Sequence, residues 1–553
     1  MPLSSLTIFG DSSIQNSELK LGMQGISTIE IVASDVMIEP RSILFSDVDF
    51  FVDTLIMEGT SVSKNDGDQG MDIRATGSVM LAQIGTQDNP MGSMRIDVGD
   101  TSYLDTIITG GGTLTLVGPS FILGSSSQNS IVLSTVGDGS FPGAAISVSG
   151  LLDADDAGDV SLTLKATGNG AAGLITLEDS VGSLASFSSI TAEGSRTIYD
   201  SRIALGSAGL SEMNIVTKNA TDFSGLYGID VISNLQVSSS LSNVNFGAVE
   251  VTGSLEGLPS LSLIGDSAVT LGPAGLVSPF GEVNLLATEV FFSSVRTRAN
   301  SINITGKGLL IDNATLDTTY LGAAGEGADI SFSSHVDLGT SGSFDLIAYA
   351  GSSGAFTVGG SIGSATPLNS LQVLSGRRAE VKDVSVLGPI TLAPPLTLTE
   401  SSTLFSSSQA GDIRLGSVDG ILAGSESLTL STEGFYSFGD VGSIFPLASF
   451  SLTKGIQAVI QNIAVTETLT LTPALLLATS STLSTTANDS SGSSITLPGI
   501  DGTSTGQQDL TLLAGEAEVT FTGLVGYEVP IGSIDVCRVV EGNDFARSIV
   551  NAC

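Results

Sequence analysis

Phe435-Tyr-Ser-Phe-Gly-Asp-Val-Gly442-Ser-Ile-Phe-Pro446-Leu447 has two relatives in the same chain. They are Ala355-Phe-Thr-Val-Gly-Gly-Ser-Ile-Gly363-Ser-Ala-Thr-Pro367-Leu368 and Val519-Thr-Phe-Thr-Gly-Leu-Val-Gly526-Tyr-Glu-Val-Pro530-Ile531. In all three a glycine and a proline stand four apart and an apolar residue follows the proline. Each copy follows a short strand-like phrase: Phe344-Asp-Leu-Ile-Ala, Ser427-Leu-Thr-Leu-Ser or Asp509-Leu-Thr-Leu-Leu. Upstream, Gly275 and Pro279 keep the spacing, while Val181-Gly182-Ser183-Leu184 keeps the strand and the glycine without the proline. The glycines at 182, 275, 363, 442 and 526 are 93, 88, 79 and 84 residues apart. A fixed internal period points to a repeat architecture.

The phrases between these markers alternate with a period of two, as in Thr113-Leu114-Thr115-Leu116-Val117 and Ser161-Leu162-Thr163-Leu164-Lys165. That is the pattern of half-buried strands. The strands are short and end in turn clusters such as Asn65-Asp66-Gly67-Asp68, Gly110-Gly111-Gly112 and Asn488-Asp489-Ser490-Ser491-Gly492. Tandem β-sandwich domains are one way to house them; a solenoid of parallel strands is the other. The loose step favours the solenoid, a right-handed parallel β-helix in which each period makes about four coils of roughly 20 residues. Leu, Ile and Val then line the inside, Ser, Thr and Asp the outside, and Gly and Asn the corners. Large aromatics are expected to fit poorly in so narrow a tube, which suits the absence of Trp.

The 553 residues exceed what a single compact core organises. Against 57 acidic residues stand 19 basic ones, a formal charge of −38. A phosphate backbone or an anionic lipid surface repels such a chain, so nucleic acid is excluded as a partner. No apolar run approaches the roughly 20 residues of a membrane span. Met1-Pro2-Leu3-Ser4-Ser5 lacks the basic start and apolar run of a signal peptide, and the start reads as a processed or truncated end of a longer secreted precursor. The two cysteines, Cys537 and Cys553, both lie at the C-terminus. A disulfide between them suits an extracellular protein with a stapled end; two free thiols in a reducing compartment are the alternative. Gly542-Asn543-Asp544-Phe545-Ala-Arg-Ser-Ile549 reads as one short capping helix, with Asn543 as N-cap. The expected divisions are N-terminal coils over 1–150, the repeat-bearing β-helix over 151–536, and a cap over 537–553.

The phrase Asp509-Leu-Thr-Leu-Leu-Ala-Gly515-Glu-Ala-Glu-Val519-Thr-Phe-Thr-Gly523-Leu-Val-Gly526 resembles the repeats of large bacterial exoproteins of the filamentous haemagglutinin type, in the two-partner secretion class. The resemblance covers about 340–536, more faintly about 155–340, and over 1–150 only in composition. It implies a right-handed β-helix, export through an outer-membrane partner, and a role in adhesion or surface structure. The Asn-Pro-Asn-Gly type element of the family's secretion domain is absent from this sequence.

Few residues invite chemistry. The one histidine, His335, lies in Ser333-Ser334-His335-Val336-Asp337. A Ser/His/Asp hydrolase also needs a placed nucleophile, and no Gly-x-Ser-x-Gly elbow accompanies this histidine in a strand-to-helix setting, so an outward strand residue is expected. Asp66, Asp68 and Asp72 in one loop, and Asp153, Asp155 and Asp159 (with Asp156) in another, carry the hard oxygens that calcium prefers. Neither loop matches the twelve-residue calcium pattern, so solvated turns are the plainer reading. As paired carboxylates for glycan cleavage they lack nearby bases. Asn219-Ala-Thr221, Asn303-Ile-Thr305, Asn313-Ala-Thr315 and Asn488-Asp-Ser490 fit the N-glycosylation pattern, which matters only in a eukaryotic source. The expectation is a non-enzymatic extracellular or outer-surface protein without a required cofactor. It is a rod that self-associates end to end or laterally and meets cell-surface glycans or a host or neighbouring surface. A polysaccharide-processing β-helix enzyme is the alternative.

Overall fold

The structure, a computed structural model, describes residues 3–8, 18–21, 29–38, 42–45, 48–57, 60–63, 69–124, 129–193, 202–205, 210, 212–224, 226, 228–251, 258–319, 325–409, 411–486 and 491–537. The expected capping helix and Cys553, with the expected bridge from Cys537, lie outside them. Among the described residues there is no helix. The chain is a parallel β-helix, and it divides into two compact units, Met1–Thr288 and Glu289–Cys553.

In the second unit the pairing is parallel throughout the described strands. One column of ten runs from Val295–Arg296 through Ile390–Leu392, Ile413–Leu415, Phe435–Ser437, Gln457–Ile460 and Ala474–Leu477 to Ile500–Gly502. A neighbouring column of seven contains Ser402–Ser406, Ser427–Ser431, Ser449–Leu452 and Leu469–Leu471. Register in this column stacks Leu404, Leu430, Leu452 and Leu471 in line. The first three are fully buried and Leu471 nearly so. The alternation in Ser427–Ser431 is the cause: Leu428 and Leu430 point inward while Thr429 faces out. Each buried leucine contributes about 2–3 kcal/mol of apolar transfer free energy.

The first unit follows the same rule, with Ile146, Ile175, Ile203, Ile229 and Val249 stacked on one face. It departs from parallel pairing at the bridge Gly110–Val136 and at the hairpin Thr167–Gly168 with Ala171–Ala172. Asn169 and Gly170 turn the hairpin with φ of 29° and 77°, the left-handed pair that a two-residue hairpin requires.

Aromatic residues depart from expectation. Ten phenylalanines and Tyr436 rank among the largest fully buried side chains. In the second unit Phe292, Phe332 and Phe356 meet inside, with ring centroids 5.6 and 6.1 Å apart. Phe332 pairs in register with Ile304 and Val358 while Phe356 pairs with Ile330, so these tilted rings meet on the diagonal.

Where the chain leaves a coil and returns, a buried threonine stands in for backbone. The hydroxyls of Thr135, Thr318 and Thr485 donate to the carbonyls of Ala144, Ala328 and Ser493 and accept the N–H of the same three residues. Each closes the hydrogen-bond pattern that the departing loop would otherwise leave open.

The repeat does not span four whole coils. In the second unit Ile362 bridges Val336 and Val384, and its column continues to Leu404 and Leu430. Val441, the corresponding residue of the next copy, lies two faces further on, between Val418 and Ile463. From Val441 the column runs through Ile463 and Leu483 to Leu512, and Val525 again lies two faces beyond, on Ile500. One repeat is therefore three coils and two further faces. Coils here take up 17 to 32 residues between paired positions such as Ala379 to Leu396 and Leu316 to Ala348.

Candidate functional site

The glycine turn recurs with one geometry in both units. Gly182, Gly275, Gly363, Gly442 and Gly526 have φ of 68°, 69°, 69°, 70° and 62°. A side chain there is both strained and, in most copies, blocked: a Cβ on Gly442 would lie 2.2 Å from the carbonyl oxygen of Ala464. Each glycine N–H donates to the coil below, to Leu152, Val249, Val336, Val418 or Ile500, at 2.6–2.8 Å. The apolar residue that closes each of the first four turns (Phe187, Phe280, Leu368, Leu447) is fully buried. A sixth copy appears at Gly85, with φ of 72°, whose proline, Pro90, stands five residues on. In the first unit Ile84, Val181 and Ala274 repeat the advance of three coils and two faces.

Past the glycine, successive N–H groups converge on one carboxylate from the coil below. Asp153 Oδ1 accepts from Leu184 at 2.9 Å and Ala185 at 3.3 Å. Glu250 accepts from Leu276, Val277 and Ser278 at 3.1–3.2 Å. Asp337 accepts from Ala365 and Thr366, Asp419 from Ile444 and Phe445, and Asp501 from Glu528 and Val529, at 2.8–3.2 Å. Consecutive N–H groups in a left-handed turn form an anion-binding concavity; here the anion is the protein's own. Of these acids sequence reasoning named only Asp153, as a calcium candidate, and Asp337, beside His335; it missed their role in the turn. Their signal is an apolar–acidic pair about one coil before each glycine: Leu152-Asp153, Val249-Glu250, Val336-Asp337, Val418-Asp419 and Ile500-Asp501.

The calcium candidates separate. Asp153 is a buried turn clamp, with Oδ2 making no hydrogen bond. Asp155 and Asp156 are exposed, and Asp159 faces Lys218 at 3.7 Å. Asp72 pairs with Arg74 at 2.7 Å. Asp66 and Asp68 lie outside the described residues. Among the described residues no three His, Cys, Asp or Glu side chains gather as a metal site.

His335 is exposed, and its Nδ1 accepts the Ser361 N–H at 3.0 Å, with Ser361 Oγ 3.2 Å away. Gly359-Gly360-Ser361-Ile362-Gly363 spells the Gly-x-Ser-x-Gly spacing, but Ser361 leads into the Gly363 turn and not into a helix. The backbone N–H already takes the Nδ1 lone pair, so the ring joins two coils as a rung. Asp337, two residues on, is committed to the turn and to Lys307 Nζ at 3.3 Å.

The glycosylation-pattern asparagines are rungs too. Asn219 donates to Ser188, Asn303 accepts from Ser331, and Asn313 accepts from the N–H of Asp345. Thr221 is fully buried. Asn488 lies outside the described residues.

One shallow groove of about 320 Å³ opens on the second unit, lined by Asp412, Arg414, Phe435, Tyr436, Ser437 and Val459. Tyr436 forms its floor. Burial pushes its phenol above the usual range, and its oxygen accepts the Thr432 N–H at 2.9 Å.

Comparison of the chain with protein-family models, with curated proteins and with solved structures finds no match. Among the described residues no helix is long and apolar enough to cross a membrane.

Proposed function

We propose that the chain is an extracellular structural and adhesive surface protein, a stiff rod of the filamentous haemagglutinin type that presents repeated outward faces at a fixed pitch. The observation that carries this reading is the ten-stranded parallel column of the second unit. Such a column extends along one direction and resists bending, because every coil is hydrogen-bonded to the next. The placing of the carboxylates supports it: the acids beside the turns hold backbone. The charge of −38 keeps such rods dispersed until specific contacts form. Those contacts are end-to-end or lateral stacking between copies, and binding to glycans or proteins of a neighbouring surface. Head-to-tail contacts that do not close give open filaments.

Electron microscopy of the purified chain, in calcium and in a chelator, tests the reading. About 25 coils at a spacing of ~4.8 Å give rods on the order of 120 Å long. Rods of that length, or filaments built from them, are the expected result. Compact particles or flexible beads overturn it.

A further inference from the structure

We propose that the groove around Phe435 is a binding subsite for one ring of a neutral sugar. The inference rests on the surface-protein reading and names a ligand class for it. Phe435 is 47% exposed, although its strand needs nothing apolar there. The outward residues at the paired positions in the adjoining coils are Asp412, through its bond to the Phe435 N–H, and Gln457. The fold explains Tyr436, which points inward, but not an aromatic ring on the outside.

The surroundings of that ring are polar and fixed. Arg414 pairs in register with Ser437 on the next coil. Its guanidinium is 65% exposed and donates through one Nη to Asp412 Oδ2 at 3.0 Å, which leaves most of its five N–H donors for a ligand. Asp412 Oδ1 accepts the Phe435 N–H at 3.1 Å, so the carboxylate is held while keeping acceptor capacity. Asp412, Arg414, Phe435 and Ser437 stand at the corners of a rectangle set by the sheet, about 4.8 Å between coils and about 6.7 Å between alternate residues. That is the footprint of a single hexose. An apolar platform with a few placed donors and acceptors is what orients a small ligand. The electron-rich face of an aromatic ring attracts the polarised C–H face of a pyranose, and Arg414, Asp412 and Ser437 meet its hydroxyls.

Charge chooses the class of sugar. The Asp412–Arg414 pair is internally neutral, and a chain of net charge −38 repels an anionic glycan. The ligand is thus a neutral hexose or N-acetylhexosamine unit.

Saturation-transfer NMR on the full chain tests this, with the methyl pyranosides of glucose, galactose, mannose and N-acetylglucosamine, and with galacturonate, as probes. At least one neutral pyranoside should show saturable transfer concentrated on one C–H face. Phe435→Ala should weaken that binding about tenfold or more, and Arg414→Ala should weaken it as well. Phe405→Ala, which removes an exposed ring elsewhere in the same unit, should leave it unchanged. Unaltered amide spectra of the variants outside the groove separate loss of binding from loss of fold. No transfer to any neutral pyranoside, binding that survives Phe435→Ala, or tighter binding of galacturonate overturns the proposal. Each of those results leaves the microscopy of rods untouched, so failure of the subsite and failure of the surface-rod reading are distinguishable.

Discussion

At Asp337 one side chain ties together three coils. Its Oδ1 holds two N–H groups of the Gly363 turn above, and its Oδ2 faces Lys307 of the coil below. Replacing it with alanine removes a charged acceptor from two part-buried hydrogen bonds, a loss of about 1.5–3 kcal/mol in the local structure. Hydrogen exchange reads this directly: in Asp337→Ala the amides of Ala365 and Thr366 should exchange about a hundredfold faster, while Asp337→Asn, which keeps an acceptor, should fall between. Unchanged exchange in the alanine variant would show that the turn stands without its clamp. Asp105 offers a test by pH. It is buried, and burial raises its carboxyl above the usual range, against the lowering effect of the Thr106 N–H. The folded state therefore holds this proton more tightly than the unfolded chain does. Its contribution to stability is greatest below the unfolded pKa of about 3.9 and falls as pH rises to the folded value. Asp105→Asn should therefore gain on the parent protein from pH 4 to 7 in denaturant midpoint, and a constant difference across that range would contradict the assignment. Asp105 did not stand out in the sequence, and Asp337 drew notice only beside His335. A single Asp between apolar residues reads as an ordinary outward strand position until the coil above it is known.

The glycine turn was legible as a pattern and not as a geometry. Its Gly-x-x-x-Pro spacing marks four copies outright. Ser186 in place of proline and the longer Gly85–Pro90 spacing hide two others, which the φ of the glycine and, at Gly182, the clamp from Asp153 reveal. Two substitutions separate the roles of conformation and space. Gly506 has a φ of 66° with nothing within 4 Å of an added Cβ, whereas at Gly442 the Ala464 carbonyl stands 2.2 Å away. Gly506→Ala should cost about 1–2 kcal/mol, the left-handed penalty alone. Gly442→Ala should cost about 1–3 kcal/mol more from overpacking. Equal losses, measured by denaturant unfolding of both variants, would show that the close approach carries no weight. The step of 79–93 residues suggested four coils because whole numbers are the natural guess. The structure instead advances each turn by two faces beyond three coils, so within each unit the exposed tips, Leu184 and Val277 in the first, Ile444 and Tyr527 in the second, point from different faces.

For the chain as a whole, composition and alternation were enough to reach the fold class. Short period-two strands, scarce charge and abundant glycine leave few architectures other than a parallel coil stack. What composition concealed was the interior, where phenylalanine clusters occupy space that the absence of tryptophan had suggested was too narrow. The candidate subsite was concealed for a related reason: Asp412, Arg414 and Phe435 are more than twenty residues apart at their extremes, and only coil register makes them neighbours. Parallel in-register stacking is therefore the central claim, on which clamp, turn and groove all depend. The most direct test is a spin-label distance between Thr403→Cys and Thr496→Cys with both native cysteines replaced by serine. Thr403, Thr429, Ser451, Thr470 and Thr496 form one outward line of successive partners. Four steps of ~4.8 Å place the two backbones about 19 Å apart. A narrow distribution near that distance, allowing for label length, is the predicted result; a broad one centred beyond about 30 Å, as separate sandwich domains of some 100 residues would give, would contradict it.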